Sequence, residues 1–184
     1  FTVTLQDRGA EFVQPALDRA RAFFEKRSRV PGRAAEQLAR LQADVAGHGV
    51  ERADVVIEAI YENAEAKREL YARLEPRLKT GALLATNTSS LMLETLSQQL
   101  AVPGRLVGLH FFNPVAQMPL VEVVESAATE PQARAAALAF TRAQTTSDNH
   151  LAVLCQRLAN GVQALLDRIV DEAAGVDDDE VSTR

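Results

Sequence analysis

Three short stretches carry the side chains able to do chemistry. Asn87-Thr88-Ser89-Ser90 places four amide or hydroxyl groups in a row directly after the apolar run 82–86. His110 closes the apolar run Leu106-Val107-Gly108-Leu109 and is followed by Phe111-Phe112-Asn113-Pro114. Glu122 stands inside Leu120-Val121-Glu122-Val123-Val124. A carboxylate buried among such neighbours loses its hydration, so it requires a partner. His110 is the nearest candidate in kind. A carboxylate bonded to one ring nitrogen fixes the imidazole tautomer and leaves the other nitrogen to accept a proton, which is general-base chemistry. Bland readings exist for each stretch: His110 as a structural histidine, Glu122 as an exposed edge-strand residue, and Ser90 as the N-cap of a helix beginning at Leu91.

The elements that must hold these residues are legible from periodicity. Residues 3–7 alternate like a short strand, and 10–29 carry Phe12, Val13, Leu17, Ala20, Phe23 and Phe24 at helical spacing. Pro31-Gly32 breaks that helix, and 33–45 reads as a second one with Leu38, Leu41 and Val45 on one face, closed by Gly47-His48-Gly49. The unalternating β-branched run 53–60 predicts a strand buried on both faces, followed by a helix over 64–78. Residues 82–86, 106–111 and 120–124 predict further strands, with helices over 93–100 and 131–142. A polar stretch then leads to an amphipathic helix over 151–174 and an acidic tail, Asp177-Asp178-Asp179-Glu180. Strands alternating with helices give the α/β class, with a mostly parallel, Rossmann-like sheet and helices on both faces. Ligands in such folds bind beyond the carboxyl ends of the strands, where Ser89 and His110 fall.

Composition narrows the function classes. The 184 residues are 47% hydrophobic and 24% charged, the balance of an ordinary globular chain. A formal net charge of −5 gives no electrostatic footprint for nucleic acid. No apolar stretch is long enough for a membrane span. Phe1–Leu5 has none of the features of a signal peptide and reads as a chain entered partway. The single cysteine, Cys155, cannot form an internal disulfide, which fits a reducing compartment such as the cytoplasm. The three histidines and one cysteine show no metal-ligand spacing, so no metal site is expected.

Glu58-Ala59 with Glu62 and Lys67, then Ala85-Thr86-Asn87-Thr88-Ser89-Ser90-Leu91, then Gly108-Leu109-His110-Phe111-Phe112-Asn113-Pro114, then Leu120-Val121-Glu122-Val123 together resemble the NAD-binding domain of the 3-hydroxyacyl-CoA dehydrogenases. The likeness runs from about Val3 to Ala143 and is nearest to the dehydrogenase part of bacterial multifunctional fatty-acid oxidation enzymes. The resemblance implies a catalytic pair of His110 and Glu122, twelve positions apart, with Ser89 contacting the substrate. By the same matching, Asp7 is similar to the acid that binds the adenine ribose, and Glu62, Lys67, Ser89 and Asn113 line the NAD site. The implied reaction is NAD-dependent oxidation of 3-hydroxyacyl-CoA to 3-oxoacyl-CoA in β-oxidation.

The sequence departs from that pattern at both ends. A dinucleotide fold opens with a strand running into G-x-G-x-x-G. No such element precedes Asp7, and Gly47-His48-Gly49 lacks the third glycine and comes before a strand, so the expectation is a fold lacking the first strand and glycine loop. Residues 144–184 diverge from the family. The expected division is therefore a partial NAD-binding domain over 1–143 and a divergent linker, helix and tail over 144–184. The apolar stripe of that helix suggests a homodimer. The alternative function is a non-catalytic fragment or interaction module of the same ancestry.

Overall fold

The computed structural model describes residues 1–112 and 120–145. Asn113, Cys155, the helix expected over 151–174 and the acidic tail lie outside the described residues.

Strand β1 (Val3–Leu5) leads to helix α1 (Ala10–Arg27), whose buried positions Val13, Ala16, Ala20 and Phe24 recur at three- and four-residue steps. The second helix expected over 33–45 divides in two. Helix α2 (Arg33–Ala39) stops at Arg40, and Leu41–Ala43 form strand β2, paired parallel with β1 in the register Val3↔Leu41. Leu38 and Leu41 do face a common core, as their spacing suggested, but Leu41 reaches it from a strand, packing with Ala16, Ala20 and Phe24. Bonds from Val3 N–H to the Arg40 carbonyl and from Asp44 N–H to the Leu5 carbonyl, both 2.8 Å, supply partners that a continued helix would have used internally. Val45, expected on the helix face, is exposed.

The larger sheet holds β3 (Val55–Glu58), β4 (Leu83–Thr86), β5 (Leu106–Phe111) and β6 (Val121–Val124) in that spatial order. The first three run parallel and β6 is antiparallel to β5. Helices α3 (Ala64–Leu74) and α4 (Leu93–Ser97) cover one face, packing Tyr71, Leu74, Leu93 and Leu96 against Leu84 and Leu106. Helix α5 (Pro131–Thr145) covers the other, with Ala133 and Ala137 against Leu83, Ala85, Val107 and Leu109. Helices on both faces of a mostly parallel sheet are thus present.

Burial corrects two expectations about strands. The central strand β4 is buried at all four positions, whereas Val55, Val56 and Ile57 of β3 are half-buried because β3 is an edge of this four-stranded sheet. In β6, Val121 and Val123 turn inward while Glu122 and Val124 are exposed, so the run is two-sided despite its apolar composition. Gly108 lets the β5–β6 ladder close: a Cβ there would stand 2.8 Å from the Val124 Cβ.

Candidate active site

Antiparallel pairing sets the first element of the site. His110 and Glu122 are direct partners in the β5–β6 register, so their side chains emerge on the same face. His110 Nδ1 lies 3.2 Å from Glu122 Oε2, and Nε2 lies 3.2 Å from Ser89 Oγ. The result is a row of hydroxyl, imidazole and carboxylate. The sequence argument for the pair holds in its conclusion and fails in its premise. The His110 side chain is 24% exposed and that of Glu122 57%, so Glu122 is a partnered edge-strand carboxylate and no desolvation forces the contact. Strand register supplies it instead.

Ser89 is held by the turn after β4. Asn87 N–H donates to the Glu58 carbonyl (2.8 Å), and Asn87 Oδ1 accepts from Phe111 N–H (3.4 Å), tying the turn to both flanking strands. Thr88 Oγ1 accepts from Leu91 N–H at 3.0 Å. Ser90 is not the helix cap its composition suggested. Met92 occupies that position without a side-chain cap, and Ser90 Oγ donates to Glu62 Oε1 instead (3.1 Å).

Glu62 is the hub of the turn. Its Oε1 also accepts from Thr88 Oγ1, from Ser89 N–H (3.1 Å) and from Ser90 N–H (3.2 Å), while Oε2 faces Lys67 Nζ at 3.7 Å. Partial burial works against the charged form of this carboxyl. The Thr88 hydroxyl, the Lys67 charge and the Ser90 donors outweigh it and hold the group below the ordinary carboxylate range.

Beneath it lies a polar network that residue patterning did not find. Lys67 and Glu58 are both 0% exposed in their side chains and pair at 2.7 Å. Glu58 also accepts from Ile60 N–H (2.6 Å), Tyr71 Oη (2.6 Å) and Thr86 Oγ1 (2.8 Å), and Lys67 donates to the Ile60 carbonyl (3.2 Å). Burial and the Glu58 charge push the Tyr71 phenol well above its usual range. The available signal was Glu58 inside an apolar run, with Lys67 and Tyr71 one turn apart on α3, which Asn63 starts by capping Ala66 N–H at 2.9 Å. Lys67, expected to line the cofactor site, is fully buried, with its ammonium engaged by Glu58 and the Ile60 carbonyl.

The structure therefore brings Ser89, His110, Glu122, Glu62 and Lys67 together at the carboxyl ends of β3, β4 and β5. Asp7 follows β1 and takes Arg8 N–H at 2.7 Å, and among the described residues it makes no bond to that row. A cleft of about 320 Å³ opens beside the row, bordered by Ser89, His110, Glu122, Met92, Val124 and Glu94. No helix among the described residues is long and apolar enough to cross a membrane.

Known proteins share this arrangement of sequence. Over 147 residues the chain is 33% identical to the fatty acid oxidation complex subunit alpha of Vibrio cholerae, a match covering 78% of this chain and 21% of that protein. The chain thus spans about a fifth of the length of such curated relatives. Among solved structures, 3-hydroxybutyryl-CoA dehydrogenase from Escherichia coli superposes with a TM-score of 0.72 at 35% identity, over 78% of this chain and 31% of that one. The dehydrogenase part of multifunctional enzyme 1 from C. elegans gives a TM-score of 0.69 at 31% identity, over 78% and 34%. Residues 1–149 match the family described as "3-hydroxyacyl-CoA dehydrogenase, NAD binding domain", and the chain belongs to that family.

Proposed function

We propose that this chain supplies the base and cofactor-facing side of an NAD-dependent 3-hydroxyacyl-CoA dehydrogenase acting in fatty-acid β-oxidation. The observation that carries the reading is the row Ser89 Oγ, His110 imidazole and Glu122 carboxylate, each contact 3.2 Å, at the carboxyl ends of the sheet. With the proton on Nδ1 donated to Glu122, the Nε2 lone pair faces Ser89 and the cleft. A substrate 3-hydroxyl placed there gives its proton to Nε2, and Ser89 Oγ hydrogen-bonds the same oxygen. Glu122 then stabilises the imidazolium.

The residues present fit a nicotinamide cofactor in part. Asp7 offers a partly exposed carboxylate beyond β1, and Glu62 Oε2, which faces Lys67 at 3.7 Å, is an acceptor at the site. Bound NAD would supply the hydride acceptor for substrate C3. Lys67 supports that site from beneath, and Asn113, outside the described residues, completes it by resemblance. The sequence has no glycine-rich loop after a strand to hold a pyrophosphate, so NAD affinity of the 184-residue chain is expected to be orders of magnitude below that of a full dinucleotide fold. The division into a partial NAD-binding domain over 1–143 and a divergent segment over 144–184, a homodimer through that segment, and a cytoplasmic setting belong to the same proposal.

The test is NADH formation at 340 nm from short- and medium-chain 3-hydroxyacyl-CoA, alongside NAD titration by calorimetry. Trace turnover that disappears in His110→Ala supports the reading. Turnover unchanged in His110→Ala overturns the assignment of the base. A chain with no NAD or thioester binding at any concentration favours the non-catalytic module.

A further inference from the structure

We propose that Glu62 is a positioning residue for Ser89. Its Oε1 gathers the Ser89 and Ser90 amides with the Thr88 and Ser90 hydroxyls, and so fixes Ser89 Oγ against His110 Nε2. One carboxylate oxygen taking four donors from three consecutive residues is a bracket on the turn, and a negative charge makes each of those bonds stronger than a neutral acceptor would. The bracket is anchored from behind. Lys67 stands 3.7 Å from Oε2 and is itself fixed by Glu58 at 2.7 Å, so the position of Ser89 traces back through Glu62 to a buried ion pair on β3 and α3. Glu62 touches neither His110 nor Glu122 among the described contacts, so any effect on the imidazole passes through Ser89. The importance of Ser89 rests on the proposed dehydrogenase site, but its position relative to His110 is measurable without NAD or substrate.

Two substitutions separate reach from charge. Glu62→Asp keeps the charge and withdraws it by one methylene, and Glu62→Gln keeps the reach and removes the charge. The readout on the 184-residue chain is NMR at fixed pH: the Ser89 and Ser90 amide proton shifts and the His110 Nε2 shift, with Ser89→Ala as reference. In Glu62→Asp both amide protons are expected to move upfield, and the His110 Nε2 signal to move toward its Ser89→Ala position. The double variant Ser89→Ala/Glu62→Asp should show no further change at His110, while Glu62→Gln, which keeps the reach but offers a weaker neutral acceptor, should move both amide protons upfield by less than Glu62→Asp and leave His110 between the parent and Glu62→Asp. Unchanged His110 signals in Glu62→Asp overturn the proposal, as does an additive double variant. Weakened NAD binding with those signals unchanged makes Glu62 a cofactor contact instead, and also overturns it. Because no readout involves turnover, a chain that oxidises nothing can still pass this test, and an active chain can fail it.

Discussion

Replacing Lys67 by Met should destabilise the fold far more than an average substitution. The ammonium and the Glu58 carboxylate are both fully buried and 2.7 Å apart. Removing one partner of such a pair strands the other charge, at a cost of about 3–5 kcal/mol. Glu58 retains three donors, from Ile60 N–H, Tyr71 Oη and Thr86 Oγ1, which places the expected loss near the lower end, about 3 kcal/mol. At about 2–4 °C per kcal/mol for a chain of this size, Tm should fall by roughly 6–12 °C. Thermal and urea denaturation followed by circular dichroism measure it. The double variant Glu58→Gln/Lys67→Met removes both charges and leaves a neutral amide among the same donors. It should recover at least half of the loss, a coupling that independent sites do not show. A single variant within about 2 °C of the parent, or a double variant as unstable as the two losses added, would refute the claim that this buried pair organises the site.

Glu122→Gln should lower kcat of whatever turnover the chain supports by only about fivefold. A carboxylate 57% exposed supplies roughly 1 kcal/mol to the imidazolium, well short of a buried triad acid, and a loss beyond about 100-fold would contradict that exposure argument. Gly108→Ala should cost about 1–3 kcal/mol, because its Cβ would meet Val124 Cβ at 2.8 Å; in a Val124→Gly background, which lacks that Cβ, the same substitution should cost well under half as much in a denaturation experiment. Glu62 is held below its ordinary value of 4.5, so its contribution to stability is complete above that pH and disappears as pH falls through the lowered value. A urea midpoint measured from pH 6 to pH 3 should therefore fall less steeply for Glu62→Gln than for the parent.

Much of this protein is local information. The alternation of β-branched runs with amphipathic segments identifies β3 to β6 and α3 to α5 to within a few residues, because strand and helix periodicities are imposed by backbone geometry. The stretches carrying Ser89, His110 and Glu122 are also visible as residue types, and their resemblance to a family names their partners. Tertiary structure decided what periodicity cannot distinguish. Leu38 and Leu41 suit one helix face equally well as a helix end followed by a strand, and pairing with β1 selected the latter. Glu122 and Glu58 look alike in sequence, each a carboxylate in an apolar run. Register leaves Glu122 on the exposed face of edge strand β6, while β3 delivers Glu58 into a pocket closed by Lys67, Tyr71 and Thr86. Which face of a strand meets solvent depends on what packs against it, and that is fixed only when residues distant in the chain come together.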